Sequence, residues 1–164
     1  MSAERKRGAG TWMRMIYRLP LAAYRFGLAG REHWLGMHWV LIVTTGRRTG
    51  RTHAVLVDRL GEDPARGRYF VQAAYGRRAD WVRNVEAHPV FDAEVRGQRF
   101  RARMEEAEPR EAARVMLEYV RAHPWYSPGI AWMLGYRGSL RSAEAVAAWL
   151  VENFGMFVIV RQPA

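Results

Sequence analysis

Residues 91–105 read Phe-Asp-Ala-Glu-Val, then Arg-Gly-Gln, then Arg-Phe-Arg-Ala-Arg-Met-Glu. Apolar and charged residues alternate on both sides of a glycine, which calls for two strands with one dry face and one wet face. With Gly97-Gln98 as a two-residue turn, glycine first as a type II′ turn prefers, Val95 faces Phe100, Ala93 faces Ala102 and Phe91 faces Met104. On the other face Glu94 meets Arg101 and Asp92 meets Arg103, opposite charges in both pairs. A chain that carries this hairpin must build its core around an antiparallel sheet.

Other strands flank it. Met37–Thr45 is a continuous apolar run rich in β-branched residues and reads as a buried strand. Gly46–Gly50 is a turn, His53–Leu60 and Arg68–Ala74 are two more strands, and Gly61–Gly67 is the loop between them. Met156–Arg161 is a last strand. Helices are expected at 11–29, with Pro20 as a kink or restart, and from an Asp80 N-cap to before Pro89. Further helices are expected at Glu108–Ala122 with Pro109 in its first turn, at 129–136, and at Ser142–Asn153 with Ser142 as cap. In Glu108–Ala122, Ala112, Ala113, Met116, Leu117, Tyr119 and Val120 form the expected buried side.

Strands cluster and helices interrupt them, which is not the alternation of a doubly wound sheet. The pattern predicts a mainly β, α+β fold: a six-stranded barrel with peripheral helices, although periodicity alone does not separate it from an open sheet. The 164 residues are expected to form one domain. In that domain, helix 11–29 precedes the sheet and a helical insertion at 125–153 precedes the last strand.

Composition removes several classes. The chain has no cysteine, so disulfide scaffolds, thiolate metal sites and cysteine nucleophiles are excluded. The five histidines show no metal spacing, there is no HExxH, and no serine stands in GxSxG, so no metal site is expected. No apolar run approaches the ~18 residues of a membrane span. Met1–Gly10 is basic, but no small-residue cleavage site follows a clean apolar core, so the expected location is the cytoplasm.

The net charge is +10, and the excess lies in the first half. Residues 1–31 carry seven Lys/Arg against one acid and residues 40–78 carry eight against three, whereas residues 79–164 are balanced. Such asymmetry points to an anionic partner: a phosphorylated cofactor, a membrane surface or nucleic acid. A solvated basic face is the plain alternative. In helix 11–29, Arg14, Arg18 and Arg25 fall roughly on one face, and that helix could pack on the body or lie on an anionic membrane. No RNP, zinc-finger or helix-turn-helix pattern appears, which argues against nucleic acid.

Two segments carry candidate chemistry. Thr44-Thr45-Gly46-Arg47-Arg48-Thr49-Gly50-Arg51 follows a buried strand. Its glycines allow a tight turn whose backbone N–H groups can hold an anion, and Arg47, Arg48 and Arg51 add bidentate donors suited to phosphate. An ordinary charged hairpin loop is the other reading, and the P-loop pattern is absent. In Ala73–Val85 a strand ends in small residues and Gly76 and enters a helix N-terminus, which favours negative charge. Tyr75 and Trp81 could flank a planar ring there, or Trp81 could be plain core. Trp125, Tyr126 and Trp132 could wall an apolar planar substrate, or likewise be core.

These two segments resemble the deazaflavin-dependent nitroreductase family, split-barrel reductases that use coenzyme F-420. Thr44–Arg51 is similar to the family's TTGRxTG turn. Asp80–Val85 followed by His88-Pro89 is similar to its DWxRN helix, and the likeness covers roughly residues 36–126. The resemblance implies a split β-barrel of the FMN-binding type and a deazaflavin held through its anionic tail by basic residues. Arg48 matches the basic phosphate-binding residue of the turn, with Arg47, Thr49 and Gly50 in the same loop. His53 stands where the family has an arginine, and Ala74-Tyr75-Gly76 replaces a longer Ser-Lys-Gly-Gly stretch. Trp81 matches a cofactor-pocket tryptophan and Tyr126 a substrate-pocket tyrosine, while His123 stands where relatives carry another tyrosine.

The function implied is hydride transfer from reduced F-420 to a quinone, nitro compound or other planar electrophile. Tyr126, Tyr75 or water would deliver the proton; a tyrosine is protonated at neutral pH. The alternatives are a split-barrel reductase using FMN and a deazaflavin carrier without turnover. A homodimer and a peripheral position at the inner membrane face, through helix 11–29, complete the expectation.

Overall fold

β2, Met37–Thr45, pairs on both of its edges, and that double pairing closes the sheet. The computed structural model describes residues 33–34 and 37–163. Their strands are β1 (His33–Trp34), β2, β3 (Thr52–Asp63), β4 (Arg68–Val71), β5 (Phe91–Val95), β6 (Gln98–Glu106) and β7 (Phe157–Arg161). β1 forms a short pairing with the start of β2. The other six run β2-β3-β4-β7-β6-β5 and return to β2, every pair antiparallel. Among the described residues four α-helices accompany this closed barrel: α1 (Asp80–Ala87), α2 (Pro109–Ala122), α3 (Ser127–Leu134) and α4 (Ala143–Phe154). The expected helix 11–29 lies outside the described residues.

Side-chain alternation sorts two cores. Val40, Ile42, Val57, Tyr69, Val71, Phe91, Ala93, Val95, Phe157 and Ile159 fill the barrel, joined by Trp81, Val82 and Val85 of α1. Phe70 and Val158 point the other way and pack with Met116, Tyr119, Val120, Val146 and Leu150 of α2 and α4. β4 and β7 are therefore apolar on both faces, which is why they read as unbroken hydrophobic runs.

Several expectations need correction. The hairpin turn is Arg96-Gly97, both at positive φ (52° and 76°), the geometry of a type I′ turn rather than II′. Phe91 therefore pairs with Ala102, Ala93 with Phe100 and Val95 with Gln98. The slip is an even number of residues, so every side chain keeps its predicted face and only its partner changes. The charged face keeps its logic in the new register, as Arg99 meets Glu94 at 2.8 Å and Arg101 meets Asp92 at 2.9 Å.

β3 does not stop at Leu60. It runs to Asp63 with a bulge between Arg59 and Gly61, and a 3-10 turn at Pro64–Arg66, capped by Asp63, does the reversing. β4 ends at Val71 rather than Ala74. Asp80 is the first residue of α1 and not its cap, since Ala79 holds that extended position. In α2, Val115 is buried and Ala113 is exposed, because the helix turns its 112–115–116–119 stripe to the barrel. α3 begins two residues earlier than expected, with Pro128 in its first turn. Ser142 caps α4 as expected, its hydroxyl accepting from Ala145 N–H at 3.1 Å.

Candidate active site

The turn between β2 and β3 is closed by its own backbone. Gly46 N–H donates to Arg51 O and Gly50 N–H donates to Gly46 O, each at 2.8 Å, and Gly50 takes φ +66°. Gly46 has a second reason to lack a side chain, since a Cβ there would stand 2.7 Å from His53 Nε2. The ring of His53 thus lies over the turn's floor.

α1 is bolted to this turn. Asn84 Oδ1 accepts from Arg47 N–H at 3.2 Å and from Arg47 Nη1 at 3.0 Å, and Asn84 Nδ2 donates to Thr44 Oγ1 at 3.3 Å. Arg47 Nη2 reaches Asp80 Oδ1 at 3.0 Å. The two sequence segments therefore meet in space, and Arg47 and Asn84 are the fasteners. Arg48, Thr49, Gly50, Arg51 and His53 are left exposed. Among the described residues no carboxylate pairs with Arg48, Arg51, Arg78 or Arg83, whereas Arg77 is held by Glu86 at 3.0 Å and by Glu106. The result is a bend with unneutralised guanidinium groups beside the N-terminal end of a helix, a setting that favours an anion.

The remaining candidates sit as follows. Ala74 is half-buried, and Tyr75 is 45% exposed beside a 3-10 turn that begins at Gly76. Gly76 takes φ +53° against the Phe154 backbone. Trp81 is only 9% exposed and meets Phe157 edge-on at 5.9 Å inside the barrel. Its indole is therefore a core group at the turn's back, and Tyr75 stands outside it.

Tyr126 is on a different wall. Asp58 points outward from β3, and its Oδ2 accepts from the Tyr119 hydroxyl, which in turn shares a hydrogen bond with the Tyr126 hydroxyl. His123 Nδ1 lies 2.9 Å from Tyr119 O, and its ring packs 5.1 Å from that of Tyr126. Burial pushes the Asp58 carboxyl up to about 6, against the opposing pull of the Tyr119 hydrogen bond and the His123 charge. Burial, then the Asp58 charge, pushes Tyr126 up to about 12 and raises Tyr119 further. Asp58 Oδ1 and the indole N–H of Trp39, its cross-strand neighbour, are buried without hydrogen-bond partners among the described residues. Reading the sequence missed Asp58. The available signal was a carboxylate on the Ala54–Leu56–Asp58–Leu60 face, where an apolar residue was due.

Along β3, Asp58 is five residues from His53, roughly 17 Å at ~3.3 Å per residue. The structure thus brings the turn and α1 together and keeps Tyr126 apart from them. Trp125 and Tyr126 touch at 4.8 Å, while Trp132 packs under Arg137 instead. A cleft of ≈ 290 Å³ borders the Tyr119–His123 cluster, lined also by His38, Arg59, Gly61 and Glu62. A second, of ≈ 510 Å³, lies between Arg66, Tyr69, Arg96 and Arg161. Neither is lined by the turn, Tyr75 or Trp81. Among the described residues no group of His, Asp and Glu could hold a metal ion, and no helix is long and apolar enough to cross a membrane.

The family model described as F420H(2)-dependent quinone reductase matches residues 17–131. The chain belongs to that family. It is an oxidoreductase whose reductant is reduced F-420. Comparison with curated proteins finds no match.

Three solved structures are similar to this reductase. An F420-H2 dependent reductase, FDR-A, is 21% identical over 74% of this chain and 92% of its own, with a TM-score of 0.48. A domain-swapped dimer is 19% identical over 92% and 98%, with a TM-score of 0.49. A pyridoxamine 5'-phosphate oxidase-related, FMN-binding protein from Nostoc punctiforme is 11% identical over 99% and 83%, with a TM-score of 0.42. The split-barrel assignment stands on the strand pairing itself.

The residues present fit the anionic end of F-420. The bend offers Arg48 and Arg51 without carboxylate partners, Thr49 between them, and no acid within Thr44–Arg51. Asp80, the nearest acid to the bend on α1, is already neutralised by Arg47.

Proposed function

We propose that this reductase delivers reducing equivalents to a quinone or a comparable planar electrophile, with Arg48 and Arg51 gripping the anionic tail of F-420. One observation carries the reading: Arg47 is spent on Asn84 and Asp80, so the neighbouring guanidinium groups face outward on a rigid bend. Reduced F-420, when bound, supplies the hydride. The chain's own part is to bind, orient and supply a proton.

Arg48 and Arg51 give charge and direction to the tail, and Thr49 and the Gly50 backbone let it approach closely. His53 lies beside the bend as a further donor, and Ala74, Tyr75 and Gly76 edge the same end of α1. Tyr126 is the proton donor toward the acceptor. Its hydroxyl stays protonated through the working range and bonds that of Tyr119, and the residue as a whole is half-buried. Tyr75 is the second candidate, through its exposure beside Gly76.

The test is a titration of the purified chain with F-420, followed by tryptophan fluorescence, then steady-state reduction of menadione. Saturable quenching and turnover that both weaken in Arg48→Ala support the reading. Quenching without menadione turnover would make the chain a carrier. Quenching by FMN but not by F-420 would move it to the flavin-using branch of the fold.

A further inference from the structure

From His123 to Ala143 the chain carries no Asp or Glu, and its only Lys or Arg residues are Arg137 and Arg141. α3 lies inside this stretch. Its sequence, Ser-Pro-Gly-Ile-Ala-Trp-Met-Leu, is apolar around the whole helix. Such a helix belongs either in a core or against another apolar phase. Ser127 and Ala131 are buried, but Gly129, Ile130, Trp132 and Met133 share the opposite side and are exposed. Trp132 is 54% exposed, Met133 58%, and Trp125, just before the helix, 69%. Leu140 extends the surface beyond it. Single exposed apolar residues are ordinary, but Ile130, Trp132 and Met133 on one helix face, with exposed Trp125 just before the helix, mark an interaction surface.

The charge around this surface is fixed and of one sign. The Arg137 guanidinium lies 5.2 Å from the Trp132 ring centroid and donates to Trp132 O at 2.7 Å and to Tyr136 O at 2.8 Å. Among the described residues it is held by neutral groups and meets no carboxylate. Arg141 is exposed. The carboxylates that flank the stretch are already engaged, Glu118 by Arg114 at 3.0 Å and Glu144 by Arg121 at 2.6 Å.

We propose that the α3 surface docks on an anionic lipid bilayer. Trp125, Ile130, Trp132 and Met133 enter the interfacial layer, and Arg137 and Arg141 meet lipid phosphates. Tryptophan favours the boundary between headgroups and acyl chains, and arginine beside it suits phosphate. The helix has eight residues, about 12 Å at ~1.5 Å each, so it lies in the interface and does not cross it. Charge favours lipid over a second copy. In a two-fold contact the patch would meet itself and gather both copies' Arg137 and Arg141 into one contact, with no acid in the stretch to separate them. The surface is built from residues 125–141, and the proposal does not depend on which acceptor the reductase uses.

The experiment is co-sedimentation of the full-length chain, without cofactor, on phosphatidylcholine vesicles with and without about a third phosphatidylglycerol. Tryptophan emission is recorded alongside. The expected result is binding to the anionic vesicles with a blue shift, weakened by salt. The Trp132→Ser, Met133→Ser double variant should lose on the order of tenfold or more in partitioning at unchanged thermal stability. Arg137→Gln with Arg141→Gln should lose binding to anionic vesicles specifically. If the first variant misfolds, Trp125→Ser with Arg141→Gln replaces it. Equal partitioning of wild type and variants overturns the proposal and places any binding on the basic N-terminal segment. Absence of binding by the wild type also overturns it, as does a variant whose only change is a shift from dimer to monomer, which would make the patch a subunit contact.

Discussion

Asn84 and Arg47 are joined twice: the Asn84 side-chain oxygen receives both the backbone N–H and the guanidinium of Arg47, at 3.2 and 3.0 Å. Because Asn84 is buried and also donates to Thr44, it ties the end of β2, the bend and α1 into one body. Removing it leaves a backbone donor and a hydroxyl short of partners. Asn84→Ala should therefore destabilise the fold by about 1–3 kcal/mol, measured as a shift in urea midpoint. An unshifted midpoint would mean that the bend is held by its own backbone alone.

Arg47 and Arg48 are adjacent in sequence and opposite in role. Arg48→Ala should weaken F-420 binding by roughly 1–3 kcal/mol, the scale of a charge-assisted hydrogen bond, while moving stability by no more than about 0.5 kcal/mol. Arg47→Ala should do the reverse in emphasis and lower stability first, because its guanidinium serves Asn84 and Asp80. Calorimetric titration beside thermal melts separates the two. Identical profiles for both variants would contradict the division of labour.

β3 bends at Gly61 so that α2 can come close. A Cβ at Gly61 would stand 2.9 Å from Val115 Cγ1. Gly61→Ala should cost about 1–3 kcal/mol by overpacking, and Val115→Ala in the same chain should recover part of it. A double-mutant cycle with zero coupling would show that the clash is absorbed elsewhere.

Much of this was legible in the sequence, and the reasons are local. The alternation in Phe91–Glu105 settles which side chains face inward, since any even slip preserves the faces. It does not settle the turn, because Arg96 at positive φ breaks the usual residue preference and is instead held by Glu62 at 2.6 Å. The continuous strands β4 and β7 were readable as buried, but nothing local says that their second face is covered by α2 and α4. Barrel closure rests on the β2–β5 pairing, some fifty residues apart in sequence, and no local pattern reports it. In the site, the two motifs were visible one by one. Asn84 could be read as bracing a loop, but its joining to Arg47 was not legible, because neither residue type names its partner. Asp58 was the clearest missed signal, a lone carboxylate on an apolar strand face.

Asp58 gives the pH prediction. Its carboxyl is faced by Tyr119 of α2, by His123 just after that helix and by Tyr126, with Trp39 beside it on β2. When Asp58 is ionised, Tyr119 donates its only proton to Oδ2, so the Tyr126 hydroxyl donates inward, to Tyr119 or to the carboxylate itself. A proton arriving at Asp58 goes to Oδ2, since Oδ1 has no partner among the described residues. The carboxylic acid then donates to Tyr119, Tyr119 donates to Tyr126, and the Tyr126 proton is freed to point outward. If Tyr126 serves the acceptor, menadione reduction should fall as pH rises through about 6, the value to which burial lifts Asp58. The stability effect has the matching sign. The folded state holds this proton more tightly than the unfolded chain, whose carboxyl titrates near 3.8, so stability declines with rising pH between those values. Asp58→Asn fixes the neutral, donating form. It should keep the low-pH rate across the range and be more stable than wild type at pH 8 by on the order of 2 kcal/mol, with the difference vanishing below about pH 4. Rate profiles and melts of both proteins from pH 4 to 8 decide it. A rate profile that shifts in neither protein, with a constant stability gap, would leave Asp58 a structural hydrogen-bond partner and move proton delivery to Tyr75.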